Sequence, residues 1–336
     1  MKRVSFFLTT VLVLAFISST LLAQNGFEPK VKVNGTVQAW ASMAQTNTDT
    51  SQIGFGLRRV RARLKASLSK NIKAFVQAEL TSPKLLDARI EYHISKAAQI
   101  RVGRFIGAGV RAAGLTSHTK IDIVERPVSA QKWGKATIGG DYRDYGLAFM
   151  GKVNGFGFNL TLHNGAGAAN IKPSHKSTAH LQLQGIAISG MVNYKPKQLK
   201  GLEVGGYYGM GNTYVNDYSS FNGYIYYEPK PLRVKLEYIG WTDKNGPTDV
   251  SSAGYYAFLG YRITKCMELV ARYEQFDNNT DVDKDEETFI TFGITHSFFP
   301  DHWNNAKITA AYVIHNEAWD NPPDNNVFYI MAQFVF

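Results

Sequence analysis

VFYIMAQFVF, from Val327 to Phe336, closes the chain and decides how the rest is read. Taken two residues at a time, Phe328, Ile330, Ala332, Phe334 and Phe336 share one face, while Val327, Tyr329, Met331, Gln333 and Val335 share the other. That is the period of a β-strand and not of a helix. The same alternation runs backward through nearly everything after Asn25, in short segments separated by turn chemistry, with no long helical period.

The other end of the chain carries a different signal. Met1 to Arg3 form a cationic start, Val4 to Ile17 an uncharged apolar stretch, and Ser18 to Ala23 a small-residue exit, the pattern of a secretory leader cleaved after Ala23. The expected organisation is a leader over residues 1–23 and a single domain over residues 24–336. A terminal strand with an aromatic last residue resembles bacterial outer-membrane β-barrel proteins, whose assembly machinery reads such an ending. The formal charge of +10 falls to +8 once Lys2 and Arg3 leave with the leader. An exported protein meets little nucleic acid, so small anions and lipopolysaccharide are the expected partners. Beyond the leader no apolar run approaches the roughly 20 residues of a membrane helix. A membrane location therefore requires a closed barrel, which satisfies every backbone group in lipid without helices. The lone Cys266 sits near a turn and excludes a disulfide framework. No cofactor is implied.

Sixteen strands are expected. They run from Lys30 to Ala44, Phe55 to Leu68, Ile72 to Leu80, Leu86 to Ile94, Gln99 to Phe105, Tyr145 to Val153, Phe156 to His163 and His180 to Tyr194. The remaining eight run from Leu202 to Met210, Asn222 to Glu228, Leu232 to Ile239, Tyr255 to Ile263, Glu268 to Phe276, Phe289 to Phe298, Lys307 to His315 and Val327 to Phe336. Asn154-Gly155 is the strongest hairpin signal. Short links such as Lys70-Asn71 and Thr264 to Cys266 take turns with long ones such as Thr46 to Ile53, Thr213 to Ser220 and Asp243 to Ser251. An outer-membrane barrel alternates periplasmic turns with external loops in this way. The longest interruption, Ile106 to Gly134, is rich in Gly, Ala and basic residues, and its spacing fits either an external loop or a constriction folded into the lumen.

Within the second strand Val60, Ala62, Leu64, Ala66 and Leu68 share one face, and Arg59, Arg61, Arg63, Lys65 and Ser67 the other. An Arg facing lipid at mid-bilayer costs roughly 2 to 4 kcal/mol, so the basic set lines the lumen. Residues two apart on a strand are about 6.5 to 7 Å from each other, which makes a ladder of cations along the barrel axis. Each rung can donate to an anion, Arg in a fork suited to phosphate or carboxylate oxygens. Two outcomes are open for the ladder: neutralisation by lumen carboxylates, with Glu79 and Glu91 nearest, or a pathway for anions. Inward phase also falls on Arg101, Arg233, Lys235 and Arg272, and the long segment adds Arg111, Lys120 and Arg126.

Motifs spread over residues 55–336 resemble the phosphate-selective porins O and P of Gram-negative outer membranes. In order they are LRRVRARLKASL, LLDARIEYH with IRVGRF, the ERP of Glu125 to Pro127, YRDYGLAFMGK, HNGAG from His163, RVKLEYIGW from Arg233, LVARYEQFD from Leu269, and the terminal strand. The resemblance implies a sixteen-stranded barrel, a homotrimer, and passage of anions through an arginine-lined pore. Arg59, Arg61 and Arg63 match the family's basic strand, and residues 106–134 match its inward constriction loop.

Other signals are weaker. DVDKDEE, from Asp281 to Glu287, lacks the Gly and distal Glu of an EF-hand and reads as an exposed acidic loop or a lipopolysaccharide contact. The histidines show no metal spacing, and no Gly-x-Ser-x-Gly motif occurs. Tyr207, Tyr208, Tyr224, Tyr226, Tyr227, Tyr255, Tyr256 and Tyr261 fit an interfacial aromatic girdle. The rivals to a passive channel are a plugged structural or adhesive barrel and, from another class, an outer-membrane lipid hydrolase, which would need a Ser-His pair near the rim.

Overall fold

The computed structural model describes residues 28–46, 50–165, 186–213, 216–318 and 325–336. The expected leader and the start of the predicted strand at His180 lie outside them. Sixteen antiparallel strands close into one barrel. They are β1 (Lys30–Thr46), β2 (Thr50–Ser67), β3 (Ile72–Glu79), β4 (Lys84–His93), β5 (Ala98–Phe105), β6 (Asp144–Val153), β7 (Phe156–His163) and β8 (Ala187–Tyr194), then β9 (Leu202–Thr213), β10 (Asn216–Tyr227), β11 (Leu232–Asp243), β12 (Val250–Arg262), β13 (Met267–Asp277), β14 (Glu286–Ser297), β15 (Ala306–Glu317) and β16 (Val327–Val335). No described helix is long and apolar enough to cross a membrane.

Closure is made by the terminal stretch, Val327 to Phe336. β16 pairs with β15 on one side and with β1 on the other, Thr36 facing Val335. Phe336 extends the seam: its carbonyl accepts from Gly35 N at 2.7 Å and its N–H donates to Gly35 O at 3.1 Å. The Phe336 ring lies over Gly35, where a Cβ would stand 2.2 Å from it, so a larger residue there would push the ring aside. The in-out phase of β16 follows the sequence, with Met331 and Gln333 buried inside and Ile330, Phe334 and Phe336 exposed outside. The outer face carries Val33, Phe55, Leu57, Phe149, Leu259 and Phe292, all exposed, the apolar surface that lipid demands of a barrel.

Strands reach further toward the long-loop end than the apolar pattern does. β2 begins at Thr50, β10 at Asn216 and β12 at Val250, because a ladder is held by backbone pairing and continues past the apolar band into polar sequence. Several expected loops shrink accordingly. At the opposite end the Asn154-Gly155 turn has both residues at positive φ, 49° and 86°, as a type I′ hairpin requires.

The long segment between β5 and β6 does not project outward. It folds into the lumen and contains α1 (Val128–Ala136). Trp133 of α1 is fully buried, packing edge-on against Tyr207 at 5.6 Å and stacking on Tyr142 at 6.4 Å. Around it Val110, Ile123 and Ala130 meet Tyr218, Tyr224, Tyr226, Trp241, Tyr256 and Phe276 in one cluster. This corrects part of the girdle expectation. Tyr208, Tyr227, Tyr255 and Tyr261 are exposed outside, whereas Tyr207, Tyr224, Tyr226 and Tyr256 are buried and hold the loop.

Candidate functional site: the basic lumen wall

With the loop packed toward β8–β13, free space is left on the opposite side of the barrel, against β2–β4. It is a cavity of about 630 Å³. Its lining holds ten Arg and Lys side chains against four carboxylates, Glu79, Asp87, Glu125 and Asp141, an excess of six positive charges. Arg59, Arg61, Arg63 and Lys65 all line it, and so does Arg126 from the loop.

Arg58 joins them unexpectedly. Gln38 of β1 faces Arg59, but Ala39 faces Leu57, so Arg58 is an extra residue in a β-bulge. A bulge opposes two residues to one and re-aims the side chains beside it. The lipid-facing phase is therefore odd before it, at Ile53, Phe55 and Leu57, and even after it, at Val60, Ala62 and Leu64. Arg58 and Arg59 both turn inward onto Glu125 of the loop, Arg58 through Nε and Arg59 through Nη2 at 3.2 Å. Strict alternation would have sent Arg58 into lipid. The break in apolar phase between Leu57 and Val60 was the signal that could have located the bulge.

The rungs differ in how far they are neutralised. Arg59 also donates to Gln38 Oε1 at 2.9 Å, and Gln38 in turn donates to the loop carbonyl of His118 at 3.1 Å. Arg61 pairs with Glu79 at 2.8 Å, while Glu79 accepts from Val60 N and the Thr81 hydroxyl, each at 2.9 Å. Arg63 donates to the Thr36 hydroxyl at 2.9 Å, and Lys65 leans over the Phe75 ring at 5.8 Å. Neither has a carboxylate partner among the described residues. The Arg63 Nε is buried with no acceptor. Arg126 donates to the carbonyls of Ala112 and Thr116, each at 2.6 Å, and so shapes the loop's inner turn. Burial pushes Arg126 down to about 10, which leaves it charged at neutral pH. Burial, and then the charges of Arg61, Arg63 and Arg59, hold the His118 imidazole far below its ordinary value, hence neutral. Burial raises the Glu125 carboxyl, but Arg59 and Arg58 outweigh it and keep the group below the ordinary value of 4.5.

The remaining cations that the sequence singled out lie elsewhere, most of them in ion pairs that pin the loop. Arg111 meets Glu203 at 3.0 Å. Asp122 of the loop accepts from Lys235 at 2.8 Å and from Arg233, which also reaches Glu268 at 3.0 Å. Arg272 pairs with Glu274 at 2.6 Å and donates to the Glu125 carbonyl at 2.8 Å. Glu274 caps α1 by accepting from Val128 N at 2.6 Å. Glu237 accepts from Ala112 N at 3.1 Å and from the Tyr226 and Tyr256 hydroxyls. Arg101 pairs with Glu91 at 2.9 Å, so Glu91 serves β5 and Arg89 and not the ladder. Lys120 is exposed on the loop away from the cavity.

Comparison with known proteins agrees with the barrel fold. No curated protein matches the chain in sequence. Among solved structures, the anion-selective porin from Comamonas acidovorans is similar at a TM-score of 0.67 and 14% identity, over 92% of this chain and all of the other. Salmonella typhi OmpF, in a complex with daunomycin, is similar at 0.64 and 12% identity, over 91% of this chain and 98% of the other. OmpT of Vibrio cholerae, in a form lacking loop L8, follows at 0.62 and 13%, over 92% and 99%. Such identities show a shared fold. A family model described as Gram-negative porin matches residues 9–334. The chain belongs to the Gram-negative porins, which places it as a passive β-barrel channel in the outer membrane.

Proposed function

We propose that this porin passes small anions, phosphate or similar, along the basic wall of β2. The observation that carries the reading is the cavity with its excess of six positive charges, in which Arg63 and Lys65 have no carboxylate partner among the described residues. An anion entering there meets successive donors of modest depth, which permits entry, stepping and release. Arg59 and Arg61 are partly neutralised and set the field, while Arg63 and Lys65 offer free donors. The channel breaks no covalent bond in this reading. It works as a homotrimer in contact with lipopolysaccharide, exported through a leader of residues 1–23.

The similarity to an anion-selective porin supports the sign of the preference. A second reading, a plugged structural barrel, is favoured by the aromatic packing around Trp133, which fills the other side of the lumen. Planar-bilayer conductance across a salt gradient decides between them. The expected result is an open pore with an anion-selective reversal potential and chloride current that falls when phosphate is added. A cation-selective potential, or no pore, would overturn the channel reading.

A further inference from the structure

At the long-loop end of the barrel, inside the wall and away from the basic cavity, three side chains converge. Glu287 begins β14, while His315 and Glu317 end β15. The register sets Glu287 opposite Glu317 and Phe289 opposite His315, and each of the three residues offers one ligand atom, all within 4.8 Å of one another. His315 Nε2 lies 3.1 Å from Glu287 Oε2 and 3.6 Å from Glu317 Oε1. Ligands held at 2.0–2.1 Å around a tetrahedral zinc ion stand about 3.4 Å apart, and the two distances bracket that value.

The cluster is short of positive charge and of donors. Nε2 carries at most one hydrogen, so it can satisfy one of the two carboxylates and not both. Glu317 is only 9% exposed, and its Oε2 is buried with no hydrogen-bond partner. Glu287 divides its oxygens. Oε1 accepts from Asn278 Nδ2 at 2.9 Å and from Lys132 of α1 at 3.4 Å, which leaves Oε2 for the His315 side. Asn325 Nδ2 donates to Glu317 Oε1 at 3.2 Å. The His315 ring is clamped on Phe289, centroids 4.1 Å apart and planes at 15°. Ligands fixed by outer hydrogen bonds and packing are what a metal site needs and what a fluctuating ion pair does not.

We propose that Glu287, His315 and Glu317 bind one divalent transition-metal cation of the zinc or manganese class, with water completing its coordination. One imidazole with two carboxylates suits such borderline ions, whereas calcium and magnesium take oxygen ligands. The site escaped the sequence because its ligands come from two strands: His315 and Glu317 show the period of two, and Glu287 closes the acidic run DVDKDEE across the β14–β15 ladder. It stands apart from the anion pathway and does not depend on it.

The test is zinc titration of the detergent-purified protein by calorimetry, with heat-modifiable gel mobility as the check on folding. Wild type is expected to bind one Zn²⁺ per chain at this site. His315→Asn and Glu317→Gln are each expected to weaken that binding by more than about tenfold, since even outer partners of a metal cost that much. Lys132→Gln, which removes a competing charge and leaves the three ligands, is expected to tighten it. Folded variants that bind zinc as wild type does, or a wild type that binds none, would overturn the proposal and leave an ion-pair cluster.

Discussion

The two walls of the lumen use the same residue types to opposite ends. On β2, Arg58, Arg59, Arg61, Arg63 and Lys65 face a water-accessible cavity. On β11 and β13, Arg233, Lys235 and Arg272 are consumed by Asp122, Glu228, Glu268 and Glu274 and by a loop carbonyl. What separates them is the course of residues 106–143, which pack closely on one wall and touch the other only at points such as Glu125 and Arg143, leaving a cavity between. Inward phase makes a cation available to the lumen, and the loop decides whether the lumen is water or protein at that point.

The largest expected effect comes from breaking the sealed wall. Asp122→Ala removes the loop carboxylate that Lys235 and Arg233 share, and stripping one partner from a buried pair costs about 3 to 5 kcal/mol. The loop is expected to loosen, so that single-channel conductance rises and becomes noisy, and protease added to the purified protein cuts within residues 106–143. Unchanged conductance and protection would mean that the aromatic cluster around Trp133 holds the loop alone.

Removing cations from the open wall ranks next. A unit charge about 7 Å from an ion in water-like surroundings contributes about 0.6 kcal/mol. Each charge acts with opposite sign on anion and cation, so replacing Arg59, Arg61 and Arg63 together by Ala should lower the anion-to-cation permeability ratio on the order of a hundredfold. Glu125 and Glu79 would be left without guanidinium partners and deepen the loss. Reversal potentials in a salt gradient check this, with the outer-membrane yield of folded barrel as a control. An unaltered ratio would move the selective site off β2.

Much of this arrangement was legible in the sequence. Sixteen strands and the lumen phase of Arg59, Arg61 and Arg63 follow from alternation, a property of single residues, and a seam between β16 and β1 follows once the barrel must close. The bulge at Arg58 broke that rule locally, and it hid a rung of the ladder because a single inserted residue reverses every later side chain. Contacts made by the loop were beyond any pattern in the chain. Glu125 sits 66 residues from Arg59, and nothing in its neighbours marks it as the ladder's counter-ion. The tyrosines divide in the same way: alternation already puts the adjacent Tyr226 and Tyr227 on opposite faces, but that the inward one would pack on the loop was not written in the pattern.

Glu125 links the walls, and acid should separate them. Its carboxyl is held below its ordinary 4.5, so the stabilisation it supplies is complete above that value and is lost only as pH falls through the depressed value. Selectivity is expected to stay flat from neutral pH down to about 4.5 and then to turn more strongly anion-preferring as Arg58 and Arg59 are freed. Glu125→Gln should show the stronger preference already at neutral pH. If that variant matches wild type at pH 7, Glu125 does not screen the ladder.

The smallest effects are the sharpest comparison, because they remove one charge from each wall. Arg63→Met takes away a cation that lines the cavity and that no carboxylate among the described residues neutralises. By the same ~0.6 kcal/mol per charge, lost by the anion and gained by the cation, the permeability ratio should fall by about five- to tenfold. Lys235→Met takes away a cation that is sealed behind the loop, while Arg233 still holds Asp122. Its charge is already balanced locally and screened from the cavity by packed side chains, so the ratio should not move. Both substitutions preserve an unbranched side chain on an inward strand position, which keeps the barrel itself out of the comparison. Equal losses in the two variants would mean that ions feel the summed charge of the whole lumen; a loss confined to Arg63→Met would assign selectivity to the wall that the loop leaves open.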